Sequence, residues 1–158
     1  MNTSGKIKVG IAGYGNLGKG VELAITQNSD IELIGVFTRR DPEKVKSSSP
    51  VFHLTQAENF RGKIDVMILC GGSATDLPEM GPMLSAIFNT VDSFDTHAKI
   101  PEYFTNIDKI ARRNKTLSLI STGWDPGLFS LARLLGQCVL PEGKDYTFWG
   151  KGVSQGHS

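Results

Sequence analysis

Cysteine and histidine are scarce in this chain. Cys70 and Cys138 stand far apart, there is no C-x-x-C, and neither clusters with His53, His97 or His157. That spacing argues against a zinc site and a disulfide framework, so no metal is expected. Charge of one sign is missing as well, since 17 Lys and Arg face 16 Asp and Glu for a net +1. Without a basic surplus there is no global pull toward nucleic acid or an anionic membrane, and any anion must be recognised locally. Long apolar runs are absent too. Nothing approaches a membrane span, and the first apolar run is too short, and broken too early by glycine, for a signal peptide. A reducing cytoplasm is the expected compartment. Repeats and low-complexity tracts are also lacking. With 39% hydrophobic and 21% charged residues over 158 positions, the composition is that of about one globular domain.

What the chain does have is glycine in a telling place. Lys6–Gly20 reads KIKVGIAGYGNLGKG. Ile7, Val9, Ile11 and Ala12 form a short apolar run of the kind buried on both faces of a parallel sheet. It leads into Gly13-Tyr14-Gly15-Asn16-Leu17-Gly18, a G-x-G-x-x-G. Leu17, Val21, Ala24, Ile25 and Asn28 then recur at the spacing of one helix face. Strand, glycine turn and helix together are the dinucleotide-binding fingerprint. Gly13 makes the turn, Gly15 lets a pyrophosphate approach the backbone, Gly18 lets helix and strand pack, and the helix N-terminus offers free N–H groups.

A second strand is expected over Ile31–Phe37. In such folds an acid at the tip of that strand grips the ribose 2′-OH of NAD, whereas arginine accepts the 2′-phosphate of NADP. Here Thr38-Arg39-Arg40 occupies the tip and the first acid, Asp41, follows. Guanidinium forks pair well with phosphate, so NADP is the expected cofactor, against the alternative of solvated loop charges. Residues 41–61 read as a polar surface excursion with at most a short strand near Val51–Leu54. His53 there is expected as a surface or satisfied residue. Ile64–Cys70 is the next buried strand, ending in Gly71-Gly72-Ser73-Ala74-Thr75-Asp76. That loop falls at the carboxyl edge, where ligands bind, although a plain strand-to-helix turn capped by Thr75 or Asp76 is compatible. Cys70 reads as a packing residue. Asn89–Asp95 reads as a strand with Asp92 and Asp95 at its end, suited to an ammonium group, to capping the helix expected over Pro101–Asn114, or to solvent. Thr116–Ser121 is a further strand, and Asp125-Pro126 announces a helix over Leu128–Val139. Trp124 offers an apolar face to a ligand or to that helix. Tyr146–Gly150 is a sixth strand candidate. The predicted architecture is α/β, a doubly wound Rossmann-type parallel sheet.

Taken together, GYGNLGKG, FTRR, LCGGSATD, TVDSFDTH, STGWDPGLFS and TFWGKGVSQGHS resemble the meso-diaminopimelate D-dehydrogenases. The last two carry most of the specificity. The resemblance implies oxidative deamination of meso-2,6-diaminopimelate at its D-configured centre, giving L-2-amino-6-oxopimelate and ammonia with NADP as acceptor. It implies that Gly13, Gly15, Asn16, Leu17, Thr38, Arg39 and Arg40 hold NADP, with Gly71, Ser73, Ala74 and Thr75 on its far side and Asp92 and Phe94 nearby. Asp95, Trp124, Asp125, Phe148, Gln155 and Gly156 would border the substrate, Asp95 or Asp125 serving as catalytic carboxylate. The family's chain is about twice this long and its second half forms a substrate-binding and dimerisation domain. Residues 1–150 are therefore expected as the NADP-binding domain and 151–158 as the start of a linker to a domain largely absent here. Two other readings stand beside this one: an NADP-binding module without turnover, and a reductase of the saccharopine or dihydrodipicolinate type.

Overall fold

The computed structural model describes residues 5–143. Strands β1 (Ile7–Ala12), β2 (Ile31–Thr38), β3 (Val51–His53), β4 (Val66–Leu69), β5 (Asn89–Asp92) and β6 (Ser118–Leu119) form one parallel sheet in the order β3-β2-β1-β4-β5-β6. Between and after them come helices α1 (Asn16–Thr26), α2 (Leu77–Ser85), α3 (Ile100–Asn114) and α4 (Leu128–Val139). The chain winds outward from β1 in both directions, so a crevice opens at the carboxyl ends of β1, β2 and β4. The doubly wound Rossmann-type sheet is present as expected.

The apolar runs are continuous because both faces of the sheet are covered. Val9, Ile11, Val36 and Ile68 pack on one side with Val21 and Ile25 of α1. Ala12, Phe37, Met67 and Leu69 pack on the other with Leu77, Met80 and Leu84 of α2 and Tyr103 and Ile107 of α3. Neighbouring residues thus enter opposite cores, as the two-residue period of a strand dictates. Phe37, Met67 and Leu69 are essentially sealed from water, and burying side chains of this size is worth about 1.5–3 kcal/mol each.

Several boundaries differ from expectation. The strand near Val51 joins the sheet as β3, one residue shorter than the Val51–Leu54 allowance, because His53 turns the chain by accepting at Nδ1 from the Thr55 N–H (3.4 Å). The Tyr146–Gly150 candidate and the Lys151–Ser158 linker lie outside the described residues. β5 stops at Asp92 because its carboxylate accepts from the Phe94 N–H at 3.0 Å and turns the chain. β6 shrinks to two residues, since Thr116 donates to the Ser85 carbonyl (2.6 Å) and Ser121 adopts φ 57°. On α1 the buried stripe runs through Gly18, Val21, Glu22 and Ile25, while Leu17, Ala24 and Asn28 face outward. α4 buries none of its side chains among the described residues.

Two glycines fix how α1 meets β1. Gly13 has φ +94°, and a Cβ there would stand 3.0 Å from the Cys70 carbonyl. At Gly18 a Cβ would overlap the Gly13 carbonyl oxygen. Gly18→Ala should therefore force helix and strand apart at an overpacking cost of about 1–3 kcal/mol. The expected reading is a melting temperature about 3–10 °C lower by circular dichroism; an unchanged melt would show that the contact is not tight.

Candidate functional site

The glycine turn forms the floor of the crevice. Gly13 donates to the Phe37 carbonyl (2.8 Å) and Cys70 to the Ala12 carbonyl (2.7 Å), locking the ends of β2, β1 and β4 together. Gly15 precedes the first turn of α1, and among the described residues no side chain caps that helix. The amides of its first turn, which begins at Asn16 and Leu17, thus have no side-chain acceptor, and the helix dipole adds positive potential where an anion would sit. Nothing lies within 4 Å of the place a Gly15 side chain would take, so the approach is open.

A cleft of about 540 Å³ spreads from this turn to the tip of β2 and the loop after β4. Arg39 and Arg40 both line it. Arg40 donates through its guanidinium to the Tyr14 carbonyl, and its N–H donates to Thr38 Oγ1 at 3.1 Å. Thr38 is itself buried and positions Arg40. Arg39 reaches across to the carboxylate of Asp76. Asp76 is the residue before α2, but its side chain does not cap that helix. It accepts instead from the Gly72 N–H at 2.8 Å and from Arg39. The Gly72 amide chiefly, against the opposing effect of burial and with help from Arg39, holds the Asp76 carboxyl below its usual range. Cys70 lies in the wall, and burial pushes its thiol up to about 12, so it is a packing residue and not a thiolate.

A second cleft of about 440 Å³ lies beyond the carboxyl ends of β5 and β6, lined by Asp95, Trp124 and Asp125 together with Leu17, His97 and Thr122. Leu17, in the first turn of α1, carries the glycine turn into this second space. Trp124 is 66% exposed and meets Phe129 of α4 edge-on with centroids 4.8 Å apart, so it both faces the cleft and packs on the helix. Asp125 is paired with Arg133 at 3.1 Å. Among the described residues no side chain holds the carboxylate of Asp95. Its N–H is fixed by Ser73 Oγ at 2.8 Å, which also accepts from Thr96 at 3.2 Å. Ser73 therefore joins the loops after β4 and β5, while Ala74 and Thr75 are exposed beside it.

Two residues expected beside the cofactor are turned inward. Asp92 accepts from Tyr103 Oη (2.8 Å), Phe94 N (3.0 Å) and Ser121 N (3.1 Å) and is 2% exposed. Phe94 stacks on the Tyr103 ring at 4.1 Å, deep in the core. Neither opens onto the two clefts; the turn that ends β5 requires the Asp92 carboxylate below the surface. Burial, then the Asp92 charge, pushes the Tyr103 phenol well above its ordinary value. Phe148, Gln155 and Gly156 lie outside the described residues. Asp76 across the cleft from Arg39 and Glu22 beneath Tyr14 were not foreseen. For Asp76 the signal was available, because a doubly wound order seats the tip of β2 opposite the loop after β4.

Strand, glycine turn and adjacent arginines at a topological switch point are the features by which doubly wound α/β domains receive dinucleotides. The chain is 63% identical to the meso-diaminopimelate D-dehydrogenase of Ureibacillus thermosphaericus, over 97% of its own length and 48% of that protein. The structure of diaminopimelate dehydrogenase from C. glutamicum in complex with DAP matches 98% of this chain and 48% of that one, with TM-score 0.88 and 42% identity. An engineered D-amino acid dehydrogenase bound to NADP+ matches 97% of this chain and 47% of that one, with TM-score 0.89 and 42% identity. Residues 123–158 match the family described as Diaminopimelic acid dehydrogenase C-terminal domain. The chain is thus related almost end to end to these dehydrogenases and spans about half the length of the curated relatives it matches.

The depressed carboxyl of Asp76 predicts a pH dependence. A folded pKa below the unfolded value near 4 makes a contribution that is full above about pH 5 and fades as pH falls through the folded value. Asp76→Asn should therefore melt below wild type at neutral pH, with the gap narrowing toward about pH 3. A gap of the same size at every pH would remove the ionic role.

Proposed function

We propose that this chain is the NADP-binding part of a meso-diaminopimelate D-dehydrogenase, a cytoplasmic enzyme that is dimeric when whole. The observation that carries the reading is the arginine pair at the tip of β2, set in one cleft with the glycine turn, while Leu17 of the following helix turn lines a second cleft that holds carboxylates. The high identity to named dehydrogenases supports the same substrate class.

The residues present suit the cofactor. The amides at the start of α1 and the open face of Gly15 would receive the diphosphate. Arg39 and Arg40 would take the 2′-phosphate, each hydrogen bond to that charge being worth roughly 1.5–3 kcal/mol. Gly71 and the Ser73–Thr75 stretch would border its far side. NADP, when bound, supplies the hydride acceptor. This chain's own residues hold the amino acid. Asp95, whose carboxylate no side chain holds among the described residues, would receive the ammonium of the D-centre and take a proton from it as nitrogen becomes neutral. Asp125, already balanced by Arg133, would chiefly fix the loop that carries Trp124. Trp124 would cover the aliphatic chain and displace water from the reacting carbon.

A second reading, binding of NADP without turnover, is favoured by the openness of the second cleft, whose Trp124 and whole α4 wall face solvent. One pair of measurements separates the two: titration of the 158-residue chain with NADP and NAD, and NADP reduction at 340 nm with meso-diaminopimelate. NADP binding with reduction supports the dehydrogenase; binding without reduction supports the module; tighter binding of NAD would overturn both. Arg39→Ala and Arg40→Ala should each weaken NADP about tenfold to a hundredfold and leave NAD nearly unchanged. Asp95→Asn should lower reduction or, where only binding is seen, weaken meso-diaminopimelate binding to the NADP-loaded chain, with Asp125→Asn the milder change.

A further inference from the structure

Glu22 is out of character with its surroundings. The face α1 turns to the sheet is otherwise apolar or glycine, yet this carboxylate sits within it at 6% exposure. A buried ion is costly unless donors replace its lost water. Four do so here, none of them a cation. Tyr14 Oη donates to one oxygen. The other accepts from Ser47 Oγ (2.7 Å), Ser48 Oγ (2.8 Å) and Ser48 N (3.2 Å). Burial by itself would raise the Glu22 carboxyl, but the hydrogen bonds from Tyr14, Ser47 and Ser48 outweigh it and hold the group low. The side chain is ionised at neutral pH.

The donors come from two segments: the glycine turn, which lines the cofactor cleft, and the far end of the loop that begins with the cleft-lining arginines. Tyr14 is the residue between the first two glycines, and its carbonyl receives the Arg40 guanidinium. Ser47 and Ser48 close the loop that Arg39 and Arg40 open, and the Pro50 carbonyl then accepts from Val36 (2.9 Å), returning that loop to β2. One carboxylate therefore fastens the glycine turn to the arginine loop from beneath, without itself lining the cleft.

We propose that Glu22 is a positioning residue for cofactor choice, setting the preference for a 2′-phosphorylated dinucleotide by orienting Arg40 through Tyr14 and the Ser47–Ser48 loop. The proposal rests on the reading of Arg39 and Arg40 as the 2′-phosphate grip. A guanidinium already aimed by a fixed carbonyl loses little freedom when it meets phosphate. Without the carboxylate, the Tyr14 hydroxyl and the serine donors lose their common acceptor, and the arginine loop shifts while the glycine turn stays held by the Phe37 carbonyl and by its contact with Gly18. Backbone contacts to the diphosphate are the same for both cofactors, so the loss falls on the phosphorylated one.

The test uses Glu22→Gln and Tyr14→Phe in the 158-residue chain, with dissociation constants for NADP and NAD from fluorescence titration and melting curves as a check of folding. NADP should weaken about tenfold in Glu22→Gln and NAD less than about threefold, with a smaller shift of the same sign in Tyr14→Phe. In an Arg40→Ala background the Glu22→Gln effect on NADP should largely vanish, since the intermediary is gone. Equal weakening of both cofactors, or an effect that persists without Arg40, would overturn the proposal. Should Glu22→Gln fail to fold, the ratio in Tyr14→Phe decides. A wild-type chain that prefers NAD removes the parent reading and this one with it; a wild-type preference for NADP that the variants leave untouched removes this one alone.

Discussion

The approach of α1 to β1 is the constraint from which the site follows. Gly18 lies so close to the Gly13 carbonyl that no side chain fits between them. That contact brings the positive end of the helix to the sheet's edge, where β1, β2 and β4 finish at one level. Were the helix a side chain's width further out, its first amides would no longer meet a diphosphate lying across the turn. Shape, rather than any charged side chain, provides this part of the site.

Charge enters only at the margins, where three of the side chains already have partners before any ligand arrives. Arg39 leans on Asp76, Arg40 on the Tyr14 carbonyl, and Asp125 on Arg133. Each partner restrains a long side chain and lowers the entropy that a ligand must later overcome. The anionic partner also exacts something. Any anion that approached Arg39 would compete with Asp76, whereas Arg40, whose partner is a neutral carbonyl, has fewer competing claims. The near-neutral sequence accords with this arrangement, because the attraction needed is local and directional.

The sequence made the sheet readable because its signals were local. Apolar runs marked β1, β2 and β4, the first and last of them leading into glycine, and proline near the start of α2 and α3 marked where those helices begin. Gly13, Gly15, Arg39 and Arg40, each in one short motif, come together in the same cleft. What escaped were interactions across the fold. Asp92 lies on a strand tip, as a ligand-binding acid would, but its three donors come from residues 94, 103 and 121 and draw it inward. Phe94 follows it into the core. Glu22 was hidden for the converse reason: a glutamate in a helix reads as solvated until the serines 25 and more residues away are seen to close over it. Ser73, expected against the cofactor, spends its hydroxyl on the backbone of the neighbouring loop.

α4 has a consequence of another kind. Leu131, Leu134, Leu135 and Val139 are each at least 60% exposed on a helix whose charged residue, Arg133, is engaged by Asp125. Water gains by removing such a surface from itself. Among the described residues this face carries a concentrated apolar surface, and salts excluded from protein surfaces raise the drive to cover it.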